Sequence, residues 1–443
     1  WLAEFYTKHE YSIPMRDGVR LLTSVFVPKD DSQPWPILMT RTPYALKPYG
    51  ASNYPDRGGS FGEFARDLNI LVIQDVRGRY GSGGEYQHMR PFNPRKGPRD
   101  TDESTDAWDT IDWLVKHVPN NNGRVGLWGV SYPGFYTSMG MIDSHPALKA
   151  ASPQAPITDW FIGDDLHHNG AFFLSQNFAF FYNFAQRADD PLHENLKPFN
   201  FKTPDGYDFF LRMGPLANSV KLLKEYGREW SEFLAHPTYD AYWQARNIRP
   251  HLKNVRCAVM TVGGWYDAED LFGPLETYRW TERQNPGINN MLVMGPWTHG
   301  GWSRGDGDKV GDIHFHAKTA EFYRRKIEVP FFRHFLKGDT NFVPTEAHVF
   351  ETGRHQWRRF DAWPPRQVVS RTLYFRAAGT LGFEAPRGDG GAFDEFVSDP
   401  AKPVPFTLEH TTGYPRGYPT HDQRFAASRP CCGNPPLRAV CQC

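Results

Sequence analysis

The chain lacks an excess of charge of either sign: 50 Lys and Arg residues face 50 Asp and Glu residues over 443 positions. Proteins that hold nucleic acid owe most of their affinity to neutralised phosphates, and a formal net charge of zero leaves no such footprint. The same balance offers a charged membrane surface nothing to attract. No apolar run approaches the roughly 18 residues that span a bilayer, so no transmembrane segment is expected. Cysteine is scarce too. Of five, Cys257 stands alone in an apolar run, and Cys431, Cys432, Cys441 and Cys443 crowd the last thirteen residues. Their spacing matches no zinc pattern and no histidine lies among them, so an altered, disordered terminus after Arg429-Pro430 is expected rather than a metal knuckle or disulfide framework. The chain begins at Trp1 without a basic-then-apolar leader, which reads as a leader removed or as a fragment. No His-Glu-x-x-His motif occurs, and the adjacent His167 and His168 would point apart, so neither a metal site nor a cofactor is expected.

What is present is globular. Apolar residues at 40% and aromatics at 15% suffice for more than one core, and the length predicts two or three domains. The first 150 residues alternate strand and helix patterns. Residues 21–27 and 36–40 read as strands, and residues 69–74 (NILVIQ) form the β-branched run of a strand buried on both faces. Residues 104–118 carry Trp108, Ile111, Leu114, Val115 and Val118 at helical spacing, with Ser104 or Thr105 as the expected cap. The run RVGLWG (124–129) is the next strand, and this alternation implies a parallel sheet covered by helices. From Asp164 to Leu252 strand patterns vanish and Phe and Tyr cluster in helical stretches, which predicts a helical insertion. Strand character returns at 257–262 and 291–294. Beyond residue 341 short alternating segments (347–350, 372–375 and 405–408) predict an all-β module that looks incomplete, with uncovered faces that would lower stability.

The strongest chemical signal follows RVGLWG directly: Gly129-Val130-Ser131-Tyr132-Pro133-Gly134. Small residues let the backbone double back beneath a serine on a strand-to-helix turn, so that its hydroxyl stands clear of the sheet. Alone, such a turn also fits an ordinary loop. A serine needs a base, and the base an orienting carboxylate. Strand 257–262 runs into Gly263-Gly264-Trp265-Tyr266-Asp267, and strand 291–294 into Gly295-Pro296-Trp297-Thr298-His299. Ser131, Asp267 and His299 thus follow three strand signals in the chain order of an α/β-hydrolase triad. Glu269 and Asp270 stand close by, and Asp164-Asp165 opens the helical insertion. Carboxylates gathered beside a site repel one another unless something cationic relieves them, so a bound ammonium, a Ca²⁺ ion and a solvated acidic loop all remain open.

These stretches resemble the serine hydrolases that include cocaine esterase, the glutaryl cephalosporin acylases, the X-Pro dipeptidyl peptidases and, closest, the α-amino acid ester hydrolases. The resemblance rests on MRDGVRL (15–21), RTPY (41–44), QDVRGRYGSGGEY (74–86), TDESTDAWDTIDWL (101–114), GVSYPGF (129–135), WYDAED (265–270) and GPWTHG (295–300), and extends from near residue 11 to about 430. The shifted glycine of the serine turn is this group's own G-x-S-Y-x-G. The resemblance implies Ser131, Asp267 and His299 as the triad, the Tyr44 hydroxyl and the Tyr132 backbone N–H as the oxyanion hole, and Asp165, Glu269 and Asp270 as the cluster that receives a substrate α-ammonium. It implies an α/β-hydrolase core (1–163 and 253–340) with a helical cap (164–252) inserted after the sixth strand, a truncated jelly-roll β domain (341–430) and an atypical tail (431–443). The expected activity is acyl transfer from small α-amino acid esters to water or to a β-lactam amine; an esterase without ammonium recognition and an inactive member are the alternatives. The expected partners are a small ester or amide substrate and at most further copies of the chain, with a periplasmic or secreted location.

Overall fold

The computed structural model describes residues 1–421 except 57, 186–196, 377–379, 388–397, 408 and 414–415. Cys431, Cys432, Cys441 and Cys443, with the tail they belong to, lie outside the described residues. Ten strands build one mixed sheet: β1 (Tyr6–Pro14), β2 (Arg20–Pro28), β3 (Trp35–Thr42), β4 (Ile70–Asp75), β5 (Asn121–Val130), β6 (Leu148–Gln154), β7 (Ala258–Gly264), β8 (Asn290–Gly295), β9 (Ala347–Glu351) and β10 (Gln356–Phe360). Their spatial order is β1-β2-β4-β3-β5-β6-β7-β8-β9-β10. Pairing is antiparallel for β1 with β2, β2 with β4 and β9 with β10, and parallel through the six interfaces between.

A parallel sheet covered on both faces needs strands that are apolar on both, and every residue of β4, β7 and β8 is buried. Period-two alternation then divides the core. Ile37, Met39 and Val72 pack with Ile111 and Leu114 of helix Glu103–His117 and with Phe135 and Met139 of helix Tyr132–Met141. Leu38, Leu71 and Ile73 face the other side, against Phe64, Phe332 and Leu336. Helix Glu103–His117 starts ahead of the expected caps. Asp102 is its N-cap, accepting from the Thr105 N–H at 3.0 Å while its own N–H donates to the Thr105 hydroxyl at 2.9 Å. In a run of Asp, Glu, Ser and Thr every side chain is a competent cap, and local pattern does not choose among them.

After β6 the chain leaves the sheet and returns at β7. The excursion opens with a two-residue hairpin, His167–His168 against Ala171–Phe172, and continues in helices Leu174–Ala185, Gly206–Met213, Ser219–Leu223, Arg228–Leu234 and Ala241–Arg246. Phe178, Phe181, Trp230, Phe233 and Trp243 are buried within it. The expected boundary at 341 is displaced: β9 pairs in parallel with β8 from Leu292 opposite Ala347, and β10 closes that edge. Sheet pairing governs here, because β8 still has a free edge of N–H and C=O groups that the Pro/Gly-rich composition does not reveal. Beyond Phe360 the described residues hold one further hairpin, Tyr374–Arg376 with Thr380–Gly382; residues 405–407 form no strand. Phe375, Phe383 and Val404 in this stretch are exposed. The architecture is that of an α/β-hydrolase.

Candidate active site

Ser131 occupies the turn between β5 and helix Tyr132–Met141 with φ 69° and ψ −126°, a left-handed conformation that an L-residue holds only where its surroundings impose it. Its N–H is tied to the Gln154 carbonyl of β6 at 2.9 Å, and its carbonyl accepts from Phe135 N–H at 2.9 Å. The neighbouring glycines are required sterically. A Cβ on Gly129 would lie 2.5 Å from the Pro133 backbone, and one on Gly134 would lie 2.4 Å from the Gln154 oxygen. Gly134 thus lets the helix press against β6, which explains a glycine three residues after the serine rather than two. Pro133 sits in the first turn, where its missing N–H costs nothing.

Asp267 and His299 follow β7 and β8 at the same sheet edge. His299 Nδ1 lies 2.9 Å from Asp267 Oδ2, and Asp267 Oδ1 accepts from the N–H groups of Glu269 (2.9 Å) and Asp270 (3.0 Å). Burial opposes charge on Asp267, but the His299 ring and those two amides outweigh it and hold the carboxyl below its ordinary range. Burial would likewise lower the His299 pKa. Asp267, Glu269 and Asp165 reverse this and push it up to about 9.

The acidic cluster is unequal in its parts. Asp164 is a structural group, its Oδ2 accepting from Thr158 N–H, Thr158 hydroxyl and Asp159 N–H. Asp165, at φ 42°, accepts from the Trp160 indole at 3.0 Å, and burial together with the Glu269 charge raises its pKa to about 7. Glu269 Oε2 stands 3.8 Å from His299 Nε2, while its Oε1 is buried without a hydrogen-bond partner. Neither oxygen of Asp270 has one, and burial with Asp165 and Asp164 nearby raises its pKa well above the ordinary value. Buried acceptors left unmatched are costly, and Asp164 Oδ1 is a further one.

A cavity of about 350 Å³ brings Tyr44, Ser131, Tyr132, Asp165, Glu269 and His299 together. Asp267 and Asp270 stand behind its wall, each in reach of His299 Nδ1, at 2.9 and 3.7 Å. The Tyr44 ring makes edge contacts with Tyr132, Phe180 and Phe184. Loss of water around the hydroxyl, then the charges of Asp165, Glu269 and Asp270, raise its pKa even though 42% of the residue is exposed, so the hydroxyl remains a donor. Its loop is fixed by the stretches that carry the family resemblance. Asp75 accepts from Leu46 N–H at 2.8 Å and from Tyr49 hydroxyl at 2.9 Å, and Arg79 Nε donates to the Pro43 carbonyl at 3.2 Å. Arg41 meets Gln74 and Glu103, and Arg77 meets Asp106 and Asp17, so RTPY, QDVRGRY and TDESTDAW converge as one buried polar network.

Several residues at the site carry no local sequence signal. The Tyr132 phenol lies 2.7 Å from Nδ1 of His88, a ring that burial keeps neutral; the Tyr132 backbone N–H, at the first position of its helix, has no intrahelical acceptor. His168 Nε2 approaches the Glu269 carbonyl at 3.2 Å and ties the insertion's hairpin to the acidic loop; His167 is packed against Phe161, Phe172 and Trp243. Among the described residues no three His, Cys, Asp or Glu side chains are arranged to hold a metal. Arg304 and Arg416 also line the cavity.

The sequence profile of the X-Pro dipeptidyl-peptidase (S15) family matches residues 17–301. Cocaine esterase of Rhodococcus sp. strain MB1 Bresler is 26% identical over 423 residues, which cover 89% of this chain and 67% of that one. The chain spans about two thirds of the length of the curated relatives it matches. Among solved structures, an aminopeptidase from a marine sediment archaeon, Thaumarchaeota archaeon, is 37% identical with a TM-score of 0.84, covering 96% of this chain and 70% of its own. An α-amino acid ester hydrolase is 35% identical with a TM-score of 0.85, covering 97% and 72%.

Proposed function

The chain belongs to the X-Pro dipeptidyl-peptidase (S15) family of serine hydrolases, and from that premise we propose that it cleaves esters and amides of α-amino acids through an acyl-enzyme on Ser131. Ser131 Oγ attacks the substrate carbonyl and its proton passes to His299 Nε2, while Asp267 orients the ring and stabilises the imidazolium. The negative charge that develops on the carbonyl oxygen is received by the Tyr44 hydroxyl and the Tyr132 N–H. Collapse of the tetrahedral species breaks the bond to the leaving group, which takes the proton from His299. Water, or an amine such as the nucleus of a β-lactam, then attacks the acyl-enzyme by the same proton path.

The observation that carries this reading is the buried Oε1 of Glu269, left without a partner in a cavity that also holds Asp165. A substrate α-ammonium, cationic at neutral pH with a pKa of about 8, would be received by Asp165 and Glu269. It would also act on the base. Asp267, then Glu269 and Asp165, push His299 up to about 9, which favours the protonated ring in the ligand-free protein. A cation placed between Asp165 and Glu269 offsets their field and lowers the pKa of His299 toward the working range. Recognition and activation of the base are one event in this account. The neighbours bearing the names aminopeptidase and α-amino acid ester hydrolase support it, whereas the likeness to cocaine esterase favours a second reading in which the carboxylates only tune His299. Hydrolysis of matched esters with and without the α-amino group, beside Ser131→Ala, separates the two. We expect strong preference for the amino ester and loss of turnover in the variant; equal rates would leave a serine esterase and remove the ammonium site.

A further inference from the structure

Two arginines in the cavity have no place in that mechanism. Arg416 Nη1 donates to the His299 carbonyl oxygen at 2.7 Å, and Arg304 Nη2 approaches the same oxygen at 3.4 Å. Arg304 follows the turn Gly301–Ser303, whereas Arg416 reaches in from the C-terminal segment, so two distant parts of the chain deliver guanidinium groups to one point. Each guanidinium carries five N–H donors and a single carbonyl takes up only one or two. Neither group forms an ion pair with a carboxylate among the described residues. Glu269 acts on Arg304 only through space, while burial and the charge of Arg416 oppose the charge on Arg304. Holding the His299 carbonyl needs one donor. Both side chains are exposed at the cavity, so their remaining donors face solvent and are accessible to an anion that enters it.

We propose that Arg304 and Arg416 form a carboxylate-binding subsite at the leaving-group end of the cavity. The inference rests on the serine-hydrolase reading, because the end is assigned from His299: its Nε2 hands the proton to the departing group, and both arginines are anchored on the backbone of that residue. The acidic cluster and the arginine pair would then grip opposite ends of one molecule. The substrate class this selects is an α-amino acyl group joined to an alcohol or amine that itself bears a carboxylate, as in a dipeptide with a free C-terminus. Paired guanidiniums suit such an anion through bidentate, charge-assisted hydrogen bonds. The carboxylate lies away from the reacting carbonyl and keeps its charge throughout, so its contribution falls mainly on KM.

The test uses two nearly isosteric esters of one amino acid, its glycolate ester (–O–CH₂–COO⁻) and its glycolamide ester (–O–CH₂–CONH₂). Their kcat/KM ratio cancels any general effect of substitution on the His299 loop. In the unaltered protein the ratio favours glycolate by about 10- to 100-fold, mostly through KM and less at high salt. In Arg304→Gln/Arg416→Gln it falls to about one, and Arg416→Lys with Arg304 intact retains part of it. A ratio near one in the unaltered protein, or a preference that survives the double substitution, overturns the subsite and leaves the hydrolase standing. Failure to turn over either ester overturns the hydrolase reading and this inference with it.

Discussion

Neutralising Glu269 should push two activities in opposite directions. Its Oε2 lies 3.8 Å from His299 Nε2, and its charge stands second only to Asp267 among those that raise His299. With His299 at about 9, roughly 1% of the ligand-free protein carries a neutral base at pH 7. Removing one of the facing charges in Glu269→Gln would lower that pKa by about one unit and raise the competent fraction about tenfold. A des-amino ester, which makes no use of Glu269, should therefore gain about tenfold in kcat/KM at pH 7. An amino ester loses a charge-assisted contact of about 2 kcal/mol, roughly 30-fold, against the same tenfold gain in the free base, so its kcat/KM falls by about threefold net. The sign with pH follows. Base-form activity rises through the folded pKa of His299, so the des-amino profile should climb toward about pH 9 in the unaltered protein and reach its plateau at lower pH in the variant. The assay is kcat/KM against pH for both esters in both proteins. Parallel losses on the two esters, with an unmoved midpoint, would refute the reasoning.

Tyr44→Phe should lower kcat by about 10²- to 10³-fold with KM little changed, since the phenol meets charge that exists only in the transition state; steady-state kinetics on the amino ester reads this. His299 also links stability to pH. Its folded pKa is raised from 6.5 to about 9, so its contribution of about 3 kcal/mol is fully present below pH 6.5 and is lost as pH rises through 9; denaturant titrations should show this slope in the unaltered protein and not in His299→Ala. Arg77→Ala removes the 2.6 Å partner of buried Asp106 and leaves it only Arg41 and Arg90, each at 3.9 Å, so it should destabilise by about 3 kcal/mol in the same titrations.

The parts of the site that could be read from sequence are those tied to strand ends. Ser131, Asp267 and His299 each follow a buried β-branched or apolar run and a glycine turn, and a parallel sheet brings the carboxyl ends of its strands to one edge. The insertion after β6 was legible because helical aromatic spacing replaced alternation. Three things were not. The division of labour among the acids depends on depth: Asp164 is held through one oxygen by Thr158 and Asp159, Asp165 and Glu269 reach the cavity, and Asp270 stays behind it, while all four look alike in sequence. His88 has no neighbour in the chain that announces its partnership with the Tyr132 phenol. The strands at 347–351 and 356–360 join the main sheet because β8 offers an edge, a tertiary demand that composition near residue 341 conceals.

The central claim is that Ser131 is the nucleophile and that its neighbours read a cationic amine. Treating the protein at pH 7.5 with diphenyl α-aminoalkylphosphonate and with its des-amino counterpart, followed by peptide mass spectrometry, tests both parts at once. The account predicts a single adduct on the peptide bearing Ser131, formed much faster by the amino reagent, with that advantage lost in Glu269→Gln. An adduct elsewhere, or equal rates from the two reagents, would contradict it.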